Sequence, residues 1–560
     1  MMRFPRFLFA GLCSALVLRV GADPVANENT PPRLAVVISV DQCRADYLVR
    51  FRPYFSQGGF RRLLEQGADF RDAHQRHAAT ATAPGHATIL SGVSPSEHGI
   101  IANEWFDFSA GRLVGAVEDP AAPLIGAAPV TGPVLPGGAD AEMSGSPRAF
   151  RASTVGDQLK LRYGASSRVI ALANKDRAAI FLGGRLADAA YWMVNGRVVT
   201  SRYYRNDLPS WVADFNAEDR INHAFGHTWD RLLEASVYDA VQGPDNAPGE
   251  ESRHGLGVTF PRKIDGGAPT IGAEFYNAFR LDPYGSVLLG ELAQRAVKFE
   301  QLGKHATPDL LCVSFSQPDY AGHSYGPDSH EIMDSILRLD RVIEELLAYL
   351  DREVGPGRYV VVLTGDHGVA PLPERVQAFE RNVVAGRLDF PKLNTDVEAA
   401  LTAAFGQLGN ASWALHDGLG YRLVPQTLAA MKISSSDAQS VLKAALMRSP
   451  QVAFAWTRDE LLGKVLASGP FKESWQLSYD AERSQEVVFI PATYVVNRSP
   501  AGTNHGTPYD YDNHVPLVWY GSGVRAGIYT QRVGIDSLAP TLSAILSVPP
   551  PPLAKAPLLF

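Results

Sequence analysis

Cysteine is scarce: Cys13, Cys43 and Cys312 are the only three in 560 residues. That is too few for the disulfide framework on which small extracellular scaffolds depend. Runs of lysine and arginine are missing, no basic face can be drawn, and the formal charge is −7. A nucleic-acid-binding surface is therefore not expected. After the first twenty residues no apolar run is long enough to cross a bilayer. No internal repeat is visible, so a solenoid or propeller is not expected either.

The N-terminus carries the first positive signal. MMRFPR holds two arginines, FLFAGLCSALVL is apolar but short, and Val20-Gly21-Ala22 offers small residues for cleavage. This layout predicts a secretory signal peptide over 1–22. Leu12 precedes Cys13 where a lipid-anchored signal wants a small residue, so no lipid anchor is read. Cleavage removes Arg3, Arg6 and Arg19 and no acid, taking the charge from −7 to −10. The mature chain is expected to be periplasmic or secreted, without a membrane span, and monomeric.

Residues 33–40 (RLAVVISV) form an apolar, β-branched run of the kind found in strands buried on both faces. Similar runs lie at 168–173, 309–316, 359–363 and 515–520, with helical patterns such as 60–66, 335–350 and 537–548 between them. This alternation predicts an α/β fold with a mostly parallel central sheet and helices on both faces. The catalytic core is drawn over 33–375 plus 486–550. Within it 183–285 is loop-rich and aromatic and suits a cap. Residues 376–485 have their own helical patterns at 395–405 and 435–447 and read as an inserted α+β subdomain.

In open α/β sheets, ligands bind beyond the carboxyl ends of the strands. Asp41 follows the first strand. Asn174-Lys175-Asp176-Arg177 follows the next, Asp319-Tyr-Ala-Gly-His323 the third and Asp366-His367 the fourth, while His505 lies ahead of the last. Singly, an Asp after a strand is a turn former or cap, and a lone His is a surface or hydrogen-bonded core residue. That reading is kept for His86, His98 and His514. Together, three Asp and three His supply three ligands each for two ions. Mixed imidazole and carboxylate ligation favours zinc, with manganese or cobalt less favoured. Two ions about 3.5–4 Å apart suit in-line phosphoryl displacement.

Formal charge then narrows the substrate. Two divalent ions with the three aspartates, Lys175 and Arg177 balance a phosphate monoester dianion plus an alkoxide, whereas a diester leaves positive charge over. An attacking hydroxyl is available in HAATATAPGHATILSG (77–92), a loop entering a short helix that Pro84 starts and Gly92 stops. Thr80 and Thr82 both qualify on this ground.

At these residues the chain resembles the alkaline phosphatase superfamily. Its nearest branches are the type I phosphodiesterases/nucleotide pyrophosphatases and the phosphate-irrepressible (PafA-type) alkaline phosphatases. The likeness rests on an ordered set: Asp41, TAPGH (82–86), SPSEHGIIAN (94–103), NKDR (174–177), DYAGH (319–323), GDHG (365–368), NHG (504–506) and LAPTL (538–542). The resemblance implies Thr82 as the covalent nucleophile. It implies one zinc site at Asp41, Asp366 and His367 that also holds Thr82, and another at Asp319, His323 and His505. It also implies Asn103, Lys175 and Arg177 as binders of the phosphoryl oxygens, the Lys-x-Arg pair marking the monoesterase branch. The expected activity is alkaline phosphatase action on small-molecule phosphate monoesters through a phosphothreonine. The alternative is a nucleotide pyrophosphatase/phosphodiesterase or phosphonate hydrolase on the same metals. Cys43-Arg44-Ala45 lacks the Cys-x-Pro-x-Arg context of sulfatases.

Overall fold

A computed structural model describes residues 31–127, 144–380, 382–407 and 409–560. The expected signal peptide and part of the segment between Thr82 and Lys175 lie outside the described residues.

The buried apolar runs become the middle of the main sheet. Its strands are β1 (Leu34–Val40), β2 (Ala68–His74), β3 (Leu124–Ile125), β4 (Val169–Ala173), β5 (Ala189–Val194), β6 (Arg197–Ser201), β7 (Asp309–Phe315), β8 (Tyr359–Gly365), β9 (Leu517–Gly521) and β10 (Gly527–Gly534). Their spatial order is β10-β2-β9-β8-β1-β7-β4-β5-β6-β3. The five central strands β8, β1, β7, β4 and β5 run parallel to one another, and β9 and β6 are antiparallel to their inner neighbours.

The period-2 alternation of strand side chains divides the core into two halves. Leu34, Val36, Ile38 and Val40 of β1 join one cluster, with Leu311, Val313, Val361 and Leu363. Ala35 and Val37 join the other, with Leu310, Cys312, Val360 and Val362. Helix α4 (His330–Glu353) packs on the first half through Ile332, Ile336, Leu339, Ile343, Leu346 and Leu350. Helices α1 (Thr82–Ser91) and α2 (Asp176–Gly183) pack on the second, so both faces are covered. Cys43 and Cys312 are buried and unbridged.

The aromatic stretch that reads as loop supplies the β5–β6 hairpin and the helices Ser210–Ala217, Ala235–Gln242 and Ala273–Leu281. Farther along, helices Phe390–Phe405 and Ser435–Leu446 cover a separate antiparallel sheet of Ala414–Asp417, Gly420–Leu423, Val452–Thr457 and Val487–Pro491. This sheet has its own core of Leu393, Val397, Leu401, Tyr421, Leu442 and Phe489. No helix among the described residues is long and apolar enough to cross a membrane.

Candidate active site and metal centre

Register brings the chemistry together. Val40 of β1 pairs with Phe315 of β7 on one side and Gly365 of β8 on the other, so three parallel strands end level. Asp41 and Asp366 follow directly, and Asp319 stands in the first turn of α3 (Gln317–Tyr325), which begins just past β7. Lys175 follows β4 at the entry to α2. Asp41, Asp366 and His367 are fully buried, and Asp319 and Lys175 nearly so.

Lys175 is the hub. Its Nζ lies 2.8 Å from Asp41 Oδ2, 2.5 Å from Asp319 Oδ2 and 3.3 Å from Thr82 Oγ1. Burial alone would strip its proton, but Asp319 and Asp41 outweigh burial and hold the ammonium charged. Burial likewise opposes the charge of Asp319, yet Lys175, His323 and His505 hold that carboxyl well below its ordinary range. Asp41 goes the other way: burial and then the neighbouring charge of Asp366 push it well up, against the pull of Lys175.

Backbone carbonyls fix the orientation of three histidine rings. His323 Nδ1 lies 3.0 Å from Thr503 O, His367 Nδ1 2.9 Å from Gly368 O, and His505 Nδ1 2.7 Å from Thr80 O. A carbonyl oxygen can only accept, so Nδ1 is the donor there and Nε2 is the ring nitrogen turned toward the site. Those Nε2 atoms face carboxylates. His323 and His505 lie 3.3 and 3.6 Å from Asp319 Oδ1, and His367 lies 3.4 Å from both Asp41 Oδ1 and Asp366 Oδ2. Asp41 Oδ1 and His367 Nε2 are buried without hydrogen-bond partners. Three imidazole Nε2 atoms facing three buried carboxylates, with one ammonium among them, form a donor set that fits divalent cations.

The ligand atoms of Asp319, His323 and His505 lie within 4.8 Å of one another, as do those of Asp41, Asp319 and His367. Asp319 thus touches both groups. Asp366 is steered by the backbone N–H groups of Gln42 and His367 on Oδ1 and by His86 on Oδ2.

Thr82 is the first residue of α1, after an extended Ala81, and its hydroxyl accepts from Lys175 Nζ. The hydroxyl of Thr80 instead donates to Thr507 O, and its carbonyl holds His505. Geometry therefore separates the two threonines. Asn103 Oδ1 accepts from the Ala83 N–H, which leaves its Nδ2 as the outward donor at the head of α1. Arg177 is buried in the first turn of α2, with its Nη1 3.3 Å from Asp176. Two glycines allow the close approaches. A Cβ on Gly85 would stand 2.4 Å from Asp366 O, and one on Gly322 would stand 1.8 Å from Gln42 Oε1.

Two contributors escape sequence reasoning. Gln42 donates its side-chain amide to Asp319 Oδ1 at 2.8 Å, and nothing in a lone Gln announces this. His86 is the hydrogen-bonded core residue expected, bound to Thr82 O and Ser314 Oγ, but it also lies 3.1 Å from Asp366. Its spacing of four from Thr82 on one helix was the available signal. His98 is buried and accepts from Ile100 N, and His514 binds Arg71 O.

Known proteins share this arrangement of chain. Alkaline phosphatase PafA of Elizabethkingia meningoseptica is 31% identical over 93% of this chain and 93% of its own length. Alkaline phosphatase PhoV of Synechococcus elongatus is 32% identical over 93% and 91%. The crystal structure of wild-type alkaline phosphatase PafA superposes with a TM-score of 0.84 at 29% identity, covering 95% of this chain and 99% of that one. Residues 35–494 match the family described as type I phosphodiesterase / nucleotide pyrophosphatase. The chain belongs to that family, within the alkaline phosphatase superfamily.

Proposed function

We propose that this protein is an exported alkaline phosphatase that cleaves phosphate monoesters through a phosphothreonine at Thr82. The single observation that carries the reading is the set of three imidazole Nε2 atoms and three buried carboxylates converging beside a helix-opening threonine. Asp319, His323 and His505 would hold one divalent ion and Asp41, Asp366 and His367 a second, with zinc the best match to the ligand types. Such ions supply Lewis acidity, lowering the proton affinity of the attacking hydroxyl and offsetting charge on the leaving oxygen.

The chain's own residues do the rest. Lys175 donates to Thr82 Oγ1 and so favours its ionised form. The ester's non-bridging oxygens are met by Asn103 Nδ2, Lys175 and Arg177 at the positive end of α1. Thr82 Oγ1 bonds to phosphorus as the alcohol oxygen departs with its electron pair. Water then attacks the phosphothreonine from the vacated side, releasing phosphate and restoring Thr82.

The full-length purified chain should hydrolyse p-nitrophenyl phosphate and co-purify with about two divalent ions per chain. Thr82→Ala should lower kcat by about three orders of magnitude or more and abolish phosphoryl labelling. The family description keeps a diesterase reading in view. A clear preference for bis-p-nitrophenyl phosphate would favour that reading and overturn ours.

A further inference from the structure

Asn103 and His505 are not sealed in; both line a cavity of about 350 Å³. Asn103 is the proposed phosphoryl binder and His505 a proposed ligand on the leaving-group side, so an alcohol departing from phosphorus there enters this cavity. Its far wall comes from the separate antiparallel sheet and its flanking helix, through Asp417, Leu419 and Trp475. Glu104 and Asp417 are its charged walls, and both are acids. Asp417 is tied to the buried Arg422, whose Nε lies 2.6 Å from Oδ2, so its charge is matched. Glu104 sits next in sequence to Asn103, at the start of the short strand Glu104–Asp107, and is half-buried. Burial and Asp417 push its carboxyl up, with Arg177 pulling it back.

We propose that Glu104 makes this cavity a charge filter on the leaving group: monoesters whose alcohol is neutral or cationic are favoured, and those carrying a further anionic group are disfavoured. The inference rests on the monoesterase reading and deepens it. The phosphoryl-binding side, with Lys175 and Arg177, attracts anions, and the leaving-group side repels a second one. The site would thus act on the terminal ester of a simple or amine-bearing alcohol and discriminate against pyrophosphate and nucleoside di- or triphosphates.

The test is a double ratio. Values of kcat/KM are measured for 2-aminoethyl phosphate and for pyrophosphate with wild-type enzyme, Glu104→Gln and Glu104→Lys. Intrinsic leaving-group reactivity cancels between enzymes, and any folding loss cancels between substrates. Neutralising Glu104 should shift the ratio toward pyrophosphate on the order of tenfold, and the lysine variant further in the same direction. The shift should shrink as ionic strength rises, which a merely steric role would not produce. An unchanged ratio in both variants, or a shift indifferent to salt, overturns the filter while leaving the phosphatase reading intact. A wild-type enzyme that turns over p-nitrophenyl phosphate but prefers pyrophosphate to 2-aminoethyl phosphate after correction for leaving-group reactivity also overturns it. Failure to turn over any monoester would overturn the phosphatase reading itself.

Discussion

Two clusters in this molecule are built from the same residue types and differ in what they demand. At the strand ends, Asp41 and Asp319 flank Lys175, with His323 and His505 beside Asp319 and His367 beside Asp41 and Asp366. At the sheet edge, Asp72, His74 and His514 also bring three ligand atoms within 4.8 Å. The edge cluster is already satisfied. Its one carboxylate lies 2.6 Å from His74 Nε2, the rings of His74 and His514 stack at 4.5 Å, and Arg532 Nη2 sits 3.0 Å from His74 Nε2. Asp72 is also 42% exposed on its side chain, so water screens it. The strand-end cluster has three buried carboxylates, one ammonium and three imidazole Nε2 atoms turned inward. Residue identity alone does not suit a cluster to a metal; buried excess negative charge does.

The largest expected effect breaks that symmetry directly. Asp366→Asn should cut phosphatase activity by about three orders of magnitude or more and lower bound metal, because the proposed site would lose a charged ligand where it is fully buried. The matched Asp72→Asn should leave both within about twofold. Equal losses would mean that the two clusters are alike after all.

Removing metal comes next. A ligand at 100 to 1,000 times its Kd stabilises a fold by about 2.7–4.1 kcal/mol. A chelator should therefore lower the Tm of the wild type and of His514→Ala by the same amount. A smaller shift in His514→Ala would place a metal at the sheet edge.

If Lys175 meets the phosphoryl group as proposed, Lys175→Ala should cost about 10² in monoester kcat/KM through loss of that charged contact. It should cost less with bis-p-nitrophenyl phosphate, whose phosphoryl carries one charge fewer. Comparable losses on both substrates would reduce Lys175 to a partner of Asp41 and Asp319 that plays no part in substrate choice.

How much of this was legible follows the same physics. β1, β7 and β8 are buried on both faces, so their sequences are continuous apolar runs and their positions could be read to within a few residues. The outer strands on one side were not readable: β10 (GIYTQRVG) at the edge and β2 (ADFRDAH) next to it face solvent in part and look like loops. The β5–β6 hairpin was hidden in an aromatic stretch whose side chains pack on the sheet. The strand-end residues were readable because chemistry at the carboxyl ends of parallel strands leaves Asp and His directly after apolar runs. Gln42 and His86 were not, since their work depends on which atoms they meet across the fold. Residue types alone left Thr82 and Thr80 both open; the family resemblance pointed to Thr82, and the fold adds that the Thr80 hydroxyl is tied to Thr507 O while that of Thr82 faces Lys175.

The smallest effect sharpens the contrast most. Partial burial pushes Asp72 up, but its bond to His74 and the charges of His74, Arg532 and His514 outweigh burial and hold the carboxyl below its ordinary 3.8. A depressed acid stabilises the fold above its unfolded value and loses that contribution as pH falls through its folded value. Exposure and screening hold the contribution of such a pair to about 0.5 kcal/mol. Asp72→Asn should thus lower the urea midpoint slightly at pH 7, and the gap from wild type should close as pH drops below 3.8. A gap that survives acidification would mean that Asp72 acts through shape rather than charge. The sheet-edge cluster would then be a packing feature and no longer a charge-balanced counterpart to the strand-end site.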